Sequence, residues 1–97
     1  MAKTKTSAFD PAEYLTTAED VAEFLNEAFE TNDPTFITKA IGIAAKAKGM
    51  TAVSREANLS RENLYRSLSG NTKPEFGTIV QVLDAMGVKL TAKAKAA

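Results

Sequence analysis

The apolar residues fall into groups spaced three and four apart, broken by short polar or Gly/Pro-bearing stretches, and this is the pattern of consecutive amphipathic helices. Val21, Phe24, Leu25, Ala28 and Phe29 form the first stripe. Thr17, three residues before Asp20, is a close relative of the capping box, so a helix is predicted over about Ala18 to Thr31 with its acids on the opposite face. Acids in the first turn also suit the positive end of the helix dipole. Asp33-Pro34 is a second start signal, an N-cap before proline at the first helical position. Phe36, Ile37, Ala40, Ile41, Ala44 and Ala45 then supply the stripe of a second helix that ends near Gly49. Gly42 within it costs about 1 kcal/mol in helix propensity, and close approach of a neighbouring helix is the expected reason.

Two short helical patterns follow, Thr51 to Ala57 and Ser60 to Ser69, with only Asn58-Leu59 between them. Asn tolerates the left-handed backbone that so sharp a corner requires. Gly70 to Pro74 reads as a loop, and Phe76, Ile79, Val80, Leu83 and Met86 give a last helix ended by Gly87. Phe9-Asp10-Pro11 reads as a turn, after which Tyr14 and Leu15 are expected to pack a short segment onto the body. Val88 to Ala92 alternates apolar and polar residues, so a short C-terminal strand is a further expectation, capping the core or pairing with a second copy. The fold class is therefore all-α with five helices, in one domain over residues 1–97 that includes a loose arm over 1–8 and a frayed tail over 93–97.

The chain has 97 residues, enough for one core but not two, and its 44% apolar and 25% charged content is that of an ordinary globular protein. With no cysteine and no histidine, disulfides, thiolate nucleophiles, Cys/His zinc sites and the commonest general base are all excluded. No catalytic, cofactor-binding or metal-binding residue is assigned. Glu56 and Glu62 as paired carboxylates find no support from a phosphate loop or ligand cluster, so an enzyme is the weakest reading. Neither a membrane span nor a signal peptide is evident, which points to the cytoplasm.

Formal net charge is zero, but the average hides a division along the chain. Met1 to Thr38 holds eight acids against two lysines, a net of −6, and the remainder holds ten Lys or Arg against four acids, a net of +6. The later part suits phosphate and the earlier part a basic protein surface, with two merely solvated faces as the alternative.

A helix-turn-helix needs a first helix, a turn of three or four residues and a second helix whose outer face is free to enter the major groove. Thr51 to Gly70 meets these demands in order. Val53, Leu59, Leu64 and Leu68 fall where the two helices pack, Ser54 and Ala57 are small where they come closest, and Ser60 is the N-cap of the second, with Glu62 or Asn63 assisting. With Leu64 and Leu68 inward, Arg61, Glu62, Tyr65 and Arg66 are left outside. Arg61 or Arg66 suits guanine O6 and N7, Glu62 suits cytosine N4, and Tyr65 suits a thymine methyl or a phosphate. Thr51 and Ser60 at helix starts, with Asn63, and Asn71, Thr72 and Lys73 in the following loop, are the remaining candidates for DNA contact.

The segments FDPAEYL, ED-A-FLN-AFE with its DP start, KAKGMT, LSRENLYRSLSG, the P-F-TI--VL-AMG pattern and the closing VKL resemble the addiction-module antidote family. More narrowly, they resemble HigA-type antitoxins within the Xre-like, lambda-repressor-like helix-turn-helix group. The resemblance covers about Phe9 to Leu90 and departs at Ser67, where alanine or a larger apolar residue is more usual. It implies a DNA-binding antitoxin of a type II toxin–antitoxin module that neutralises a RelE/ParE-like toxin and, as a homodimer on operator DNA, represses its own operon. The family's DNA-reading helix falls on Ser60 to Leu68. Joined to the charge division, it places a small basic toxin against Glu23, Glu27 and Glu30. The alternatives are a stand-alone phage-type repressor without a toxin and a helical protein-interaction module.

Overall fold

The structure, a computed structural model, describes residues 11–96. The arm expected over 1–8 and the last residue of the tail lie outside them. A 3-10 helix, Pro11–Tyr14, leads into α1 (Ala18–Glu30), α2 (Pro34–Lys48), α3 (Met50–Ala57), α4 (Arg61–Ser67) and α5 (Phe76–Ala85). The all-α, five-helix expectation holds, and the described residues contain no strand.

Each helix begins and ends for a local reason. Thr17 Oγ1 accepts the Asp20 N–H at 3.1 Å while the Asp20 carboxylate accepts the Thr17 N–H at 3.2 Å, a complete capping box for α1. The Thr16 hydroxyl donates to the same carboxylate at 3.0 Å and is the main reason that Asp20 is held below the usual aspartate range, against an opposing desolvation. Because the folded-state pKa is depressed, whatever the Asp20 carboxylate contributes is complete at neutral pH and is lost as pH falls through that lowered value. Asp33 Oδ1 accepts from the Thr35 and Phe36 N–H groups at 3.1 and 3.3 Å, with Pro34 at the first position of α2. At the far end of α5, Gly87 takes φ +80° and the Val88 N–H reaches back to the Leu83 carbonyl at 3.0 Å.

The corner between α3 and α4 turns on Asn58, which sits at φ 62°, ψ 44° in the left-handed region. Its geometry brings the Leu59 N–H to the Ser54 carbonyl at 2.9 Å and closes α3 within a single residue. Ser54 is itself buried, and its hydroxyl donates to the Thr51 carbonyl at 3.0 Å.

The core draws Val21, Leu25 and Ala28 from α1, Ala40, Ile41, Ala44 and Ala45 from α2, and Met50, Val53 and Ala57 from α3. Leu64 and Leu68 add the α4 contribution, and Val82, Leu83, Ala85 and Met86 that of α5 and its end. α1 lies on α2, and α3 packs against α2, α4 and α5. Ala44 and Ala45 are fully buried, small side chains that let neighbouring helices come close. Gly42 has the reason expected of it: a Cβ there would stand 3.0 Å from the Leu68 carbonyl oxygen and 3.4 Å from the Leu68 Cβ. The residue that ends α4 therefore rests directly on the α2 backbone.

Several expectations are corrected. Val88 to Ala92 forms no strand, because Val88 is tied back to α5 and packed on the core while the residues after it have no neighbouring strand to pair with. Of the two residues expected to pack the N-terminal segment, Leu15 is buried and Tyr14 is exposed. Phe36, Phe76 and Val80 fit the helical stripes but lie on their margins, 51%, 71% and 41% exposed. Asn58→Gly is expected to leave stability unchanged within a few tenths of a kcal/mol, whereas Asn58→Val should cost about 1 to 2 kcal/mol in urea unfolding. Equal stability of the two variants would show that the corner does not depend on a left-handed residue.

Candidate nucleic-acid interface

α4 has seven residues, too few to be helical on its own, so its orientation is set by what it packs against. Leu64 has no exposed surface and Leu68 is 5% exposed, which fixes the rotation of the helix about its axis. Ser60 caps the start, its hydroxyl accepting the Asn63 N–H at 3.0 Å. Glu62 and Arg66 consequently face outward with Tyr65 on one flank, and Arg61, one turn before Leu64, is exposed at the helix start. The two arginines are braced along the helix rather than folded onto another element. Arg61 Nη2 donates to Tyr65 Oη at 3.2 Å with the guanidinium 5.5 Å from the ring centroid, and Arg66 Nη2 donates to Asn63 Oδ1 at 3.2 Å.

The loop after α4 is knotted to its last turn. The Arg66 carbonyl accepts from the Ser69 hydroxyl at 3.0 Å and the Thr72 hydroxyl at 3.2 Å, and Ser69 Oγ accepts the Asn71 N–H at 3.1 Å. These bonds hold Thr72 and Lys73 beside Arg66. Asn63, Arg66, Thr72 and Lys73, with Ser67, Pro74, Glu75 and Thr78, line one groove of about 340 Å³. A second groove, about 300 Å³, is lined by Tyr65, Leu68 and Ser69 of the α4 segment and by Lys39, Gly42, Ile43, Lys46 and Met50. At about 100° per residue, Tyr65 and Leu68 lie on one flank of α4 and Asn63 and Ser67 on the other, so the grooves run along opposite sides of the exposed face.

Among the expected contact residues, Arg61, Tyr65, Asn63, Arg66, Thr72 and Lys73 are thus brought onto or beside one helix. Glu62 shares the exposed face, and Asn71 is exposed in the adjoining loop. Thr51 is exposed in the first turn of α3, whose start at Gly49 has no side-chain cap, and it lines neither groove. Glu23, Glu27 and Glu30 are exposed along one side of α1, and Glu30 meets Lys93 at 3.7 Å, a surface pair of small energetic weight. Sequence reasoning did not single out Lys39 and Lys46. The signal available was Gly42 between them, which marks the side of α2 that another helix approaches. Among the described residues, no three His, Cys, Asp or Glu side chains converge as a metal site, and no helix is long and apolar enough to cross a membrane.

A family model described as "Probable addiction module antidote protein" matches residues 5–94. An "Uncharacterized protein" of Haemophilus influenzae strain Rd is 38% identical over 81 residues, covering 84% of either chain. No solved structure matches the chain. For the site itself, Ser60→Ala should cost about 1 kcal/mol and speed amide exchange at Asn63 more than elsewhere in α4; uniform protection would mean the cap does not hold the helix start.

Proposed function

The chain belongs to the probable addiction module antidote proteins, and on that premise we propose that it is a DNA-binding antitoxin of a type II toxin–antitoxin module. In this reading, of HigA type within the Xre-like group, it neutralises a small basic RelE/ParE-like toxin and represses its own operon as a homodimer. The observation that carries the DNA half is the rotation of α4: two buried leucines leave Arg61, Glu62, Tyr65 and Arg66 outward on one short helix at the end of a tight corner. A helix of this kind enters the major groove, about 12 Å wide, and reads base edges there. Arg61 or Arg66 pairs with guanine O6 and N7, Glu62 accepts from cytosine N4, and Tyr65 meets a thymine methyl or a phosphate. Ser60, Thr51, Asn63, Asn71, Thr72 and Lys73 contact the backbone around them. Because one corner covers a half-site, useful affinity calls for two copies on half-sites a helical turn apart, and exposed Phe76 and Val80 offer apolar surface for that pairing.

The toxin half is supported by the description of the family and by charge. Glu23, Glu27 and Glu30 give α1 an acidic side on a different element from the basic reading helix, so one molecule can attract a basic protein and a polyanion at separate places.

Arg66→Ala and Arg61→Ala are expected to lower affinity for the DNA upstream of the chain's own reading frame and to relax base preference, one position costing about 1 to 3 kcal/mol of discrimination. Affinity and preference unchanged in both variants would remove α4 as the reading element. Replacing Glu23, Glu27 and Glu30 together by Gln should slow association with the protein encoded beside this chain and flatten its salt dependence. An unchanged association rate and salt dependence would remove α1 as the toxin surface.

A further inference from the structure

Resting on the DNA reading above, we infer that the outer face of α2 is a second, sequence-blind contact for the polynucleotide backbone, in which Lys39 and Lys46 hold phosphates of the strand on the Tyr65 side of α4. An α-helix with its side chains is about as wide as the major groove, so when α4 is seated the two strands run along its two flanks. Cations on one flank engage one strand only. On the flank of Asn63 and Ser67, Lys73 and Arg66 are held in place by the bonds to the Arg66 carbonyl. On the opposite flank Arg61 lies against Tyr65, the loop supplies no cation, and the groove there is walled by α2, with Lys39 and Lys46 in its lining.

Three features tie these lysines to α4. Gly42 between them lets Leu68 settle on the α2 backbone, so α2 meets the chain where α4 ends. The aliphatic stem of Lys39 lies over Gly70, where a Cβ would fall 2.7 Å from Lys39 Cε and 2.9 Å from Cγ, so the stem is held against the loop just after α4. Among the described residues neither lysine pairs with an acid, and that groove has no acidic side chain in its lining. Seven residues at about 1.5 Å per residue separate the two along α2 by roughly 10 Å, enough to reach different phosphates of one strand.

The test is a fluorescence-anisotropy titration of the full chain across a salt series. One duplex carries the DNA upstream of its own reading frame, and the other has the same bases shuffled. Lys39→Gln and Lys46→Gln should each lower the slope of log K against log salt by about 0.9 and weaken both duplexes by the same factor, about five- to tenfold near 0.1 M salt, with the preference between duplexes unchanged. Lys46→Arg should keep the wild-type slope, and Lys48→Gln, outside both grooves, should not alter it. Wild-type slopes in both Gln variants, alongside salt-dependent binding by the wild type, would overturn the α2 contact and leave the α4 reading standing. A changed preference between duplexes would overturn it as well, since the lysines would then be reading bases. If the wild type binds neither duplex, the inference falls together with the reading on which it rests.

Discussion

Leu64 and Leu68 decide which side of a seven-residue helix meets solvent, and everything proposed for the later half of the chain depends on that decision. A helix this short has no stability of its own; it exists because both leucines enter the core that also holds Val53 and Ala57 of α3, and Leu68 rests on the bare backbone at Gly42 of α2. Rotation by one residue would put Tyr65 or Asn63 in the place of Leu64 and expose the leucine, at a cost of about 1.5 to 3 kcal/mol in lost aliphatic burial. Register and function are therefore coupled. The packing that stabilises the corner is the same packing that presents two arginines, a glutamate and a tyrosine together.

The elements around this corner divide the chemistry between them. α1 packs on α2 and keeps Glu23, Glu27 and Glu30 exposed, while the cationic side chains near α4 come from α4 itself, from α2 and from the loop after α4. A chain with zero net charge thereby carries its acidic and its basic side chains on different elements. The Glu30–Lys93 pair joins the acidic end to the tail, but both side chains are largely exposed and the pair is screened by salt.

Much of the fold was legible because its signals are local. The capping box at Thr17 and Asp20, the Asp33-Pro34 start, the left-handed Asn58 and the glycine stop at Gly87 each act through bonds within a few residues, and each appears where the sequence places it. What was misjudged depends on neighbours distant in sequence. Phe36, Phe76 and Val80 fit a helical stripe, yet periodicity does not say how wide a strip the neighbouring helices cover. The alternation over Val88 to Ala92 reads as strand, but a strand needs a partner edge and the packed helices offer none. Of the site, the outward residues of α4 followed from helical geometry once two leucines were assigned inward. Lys39 and Lys46 did not, because the contacts that bring them near the end of α4, Gly42 with Leu68 and Lys39 with Gly70, join residues far apart in sequence.

The central claim is that the exposed side of α4 and its two flanks form one surface for duplex DNA, and amide chemical shifts read that surface directly. In a titration of the wild-type chain with the duplex upstream of its reading frame, the largest changes should cluster in Ser60 to Ser69, at Thr72 and Lys73, and along the Lys39 to Lys46 side of α2, with α1 left undisturbed. Changes confined to α1, or spread evenly over the molecule, would contradict the claim.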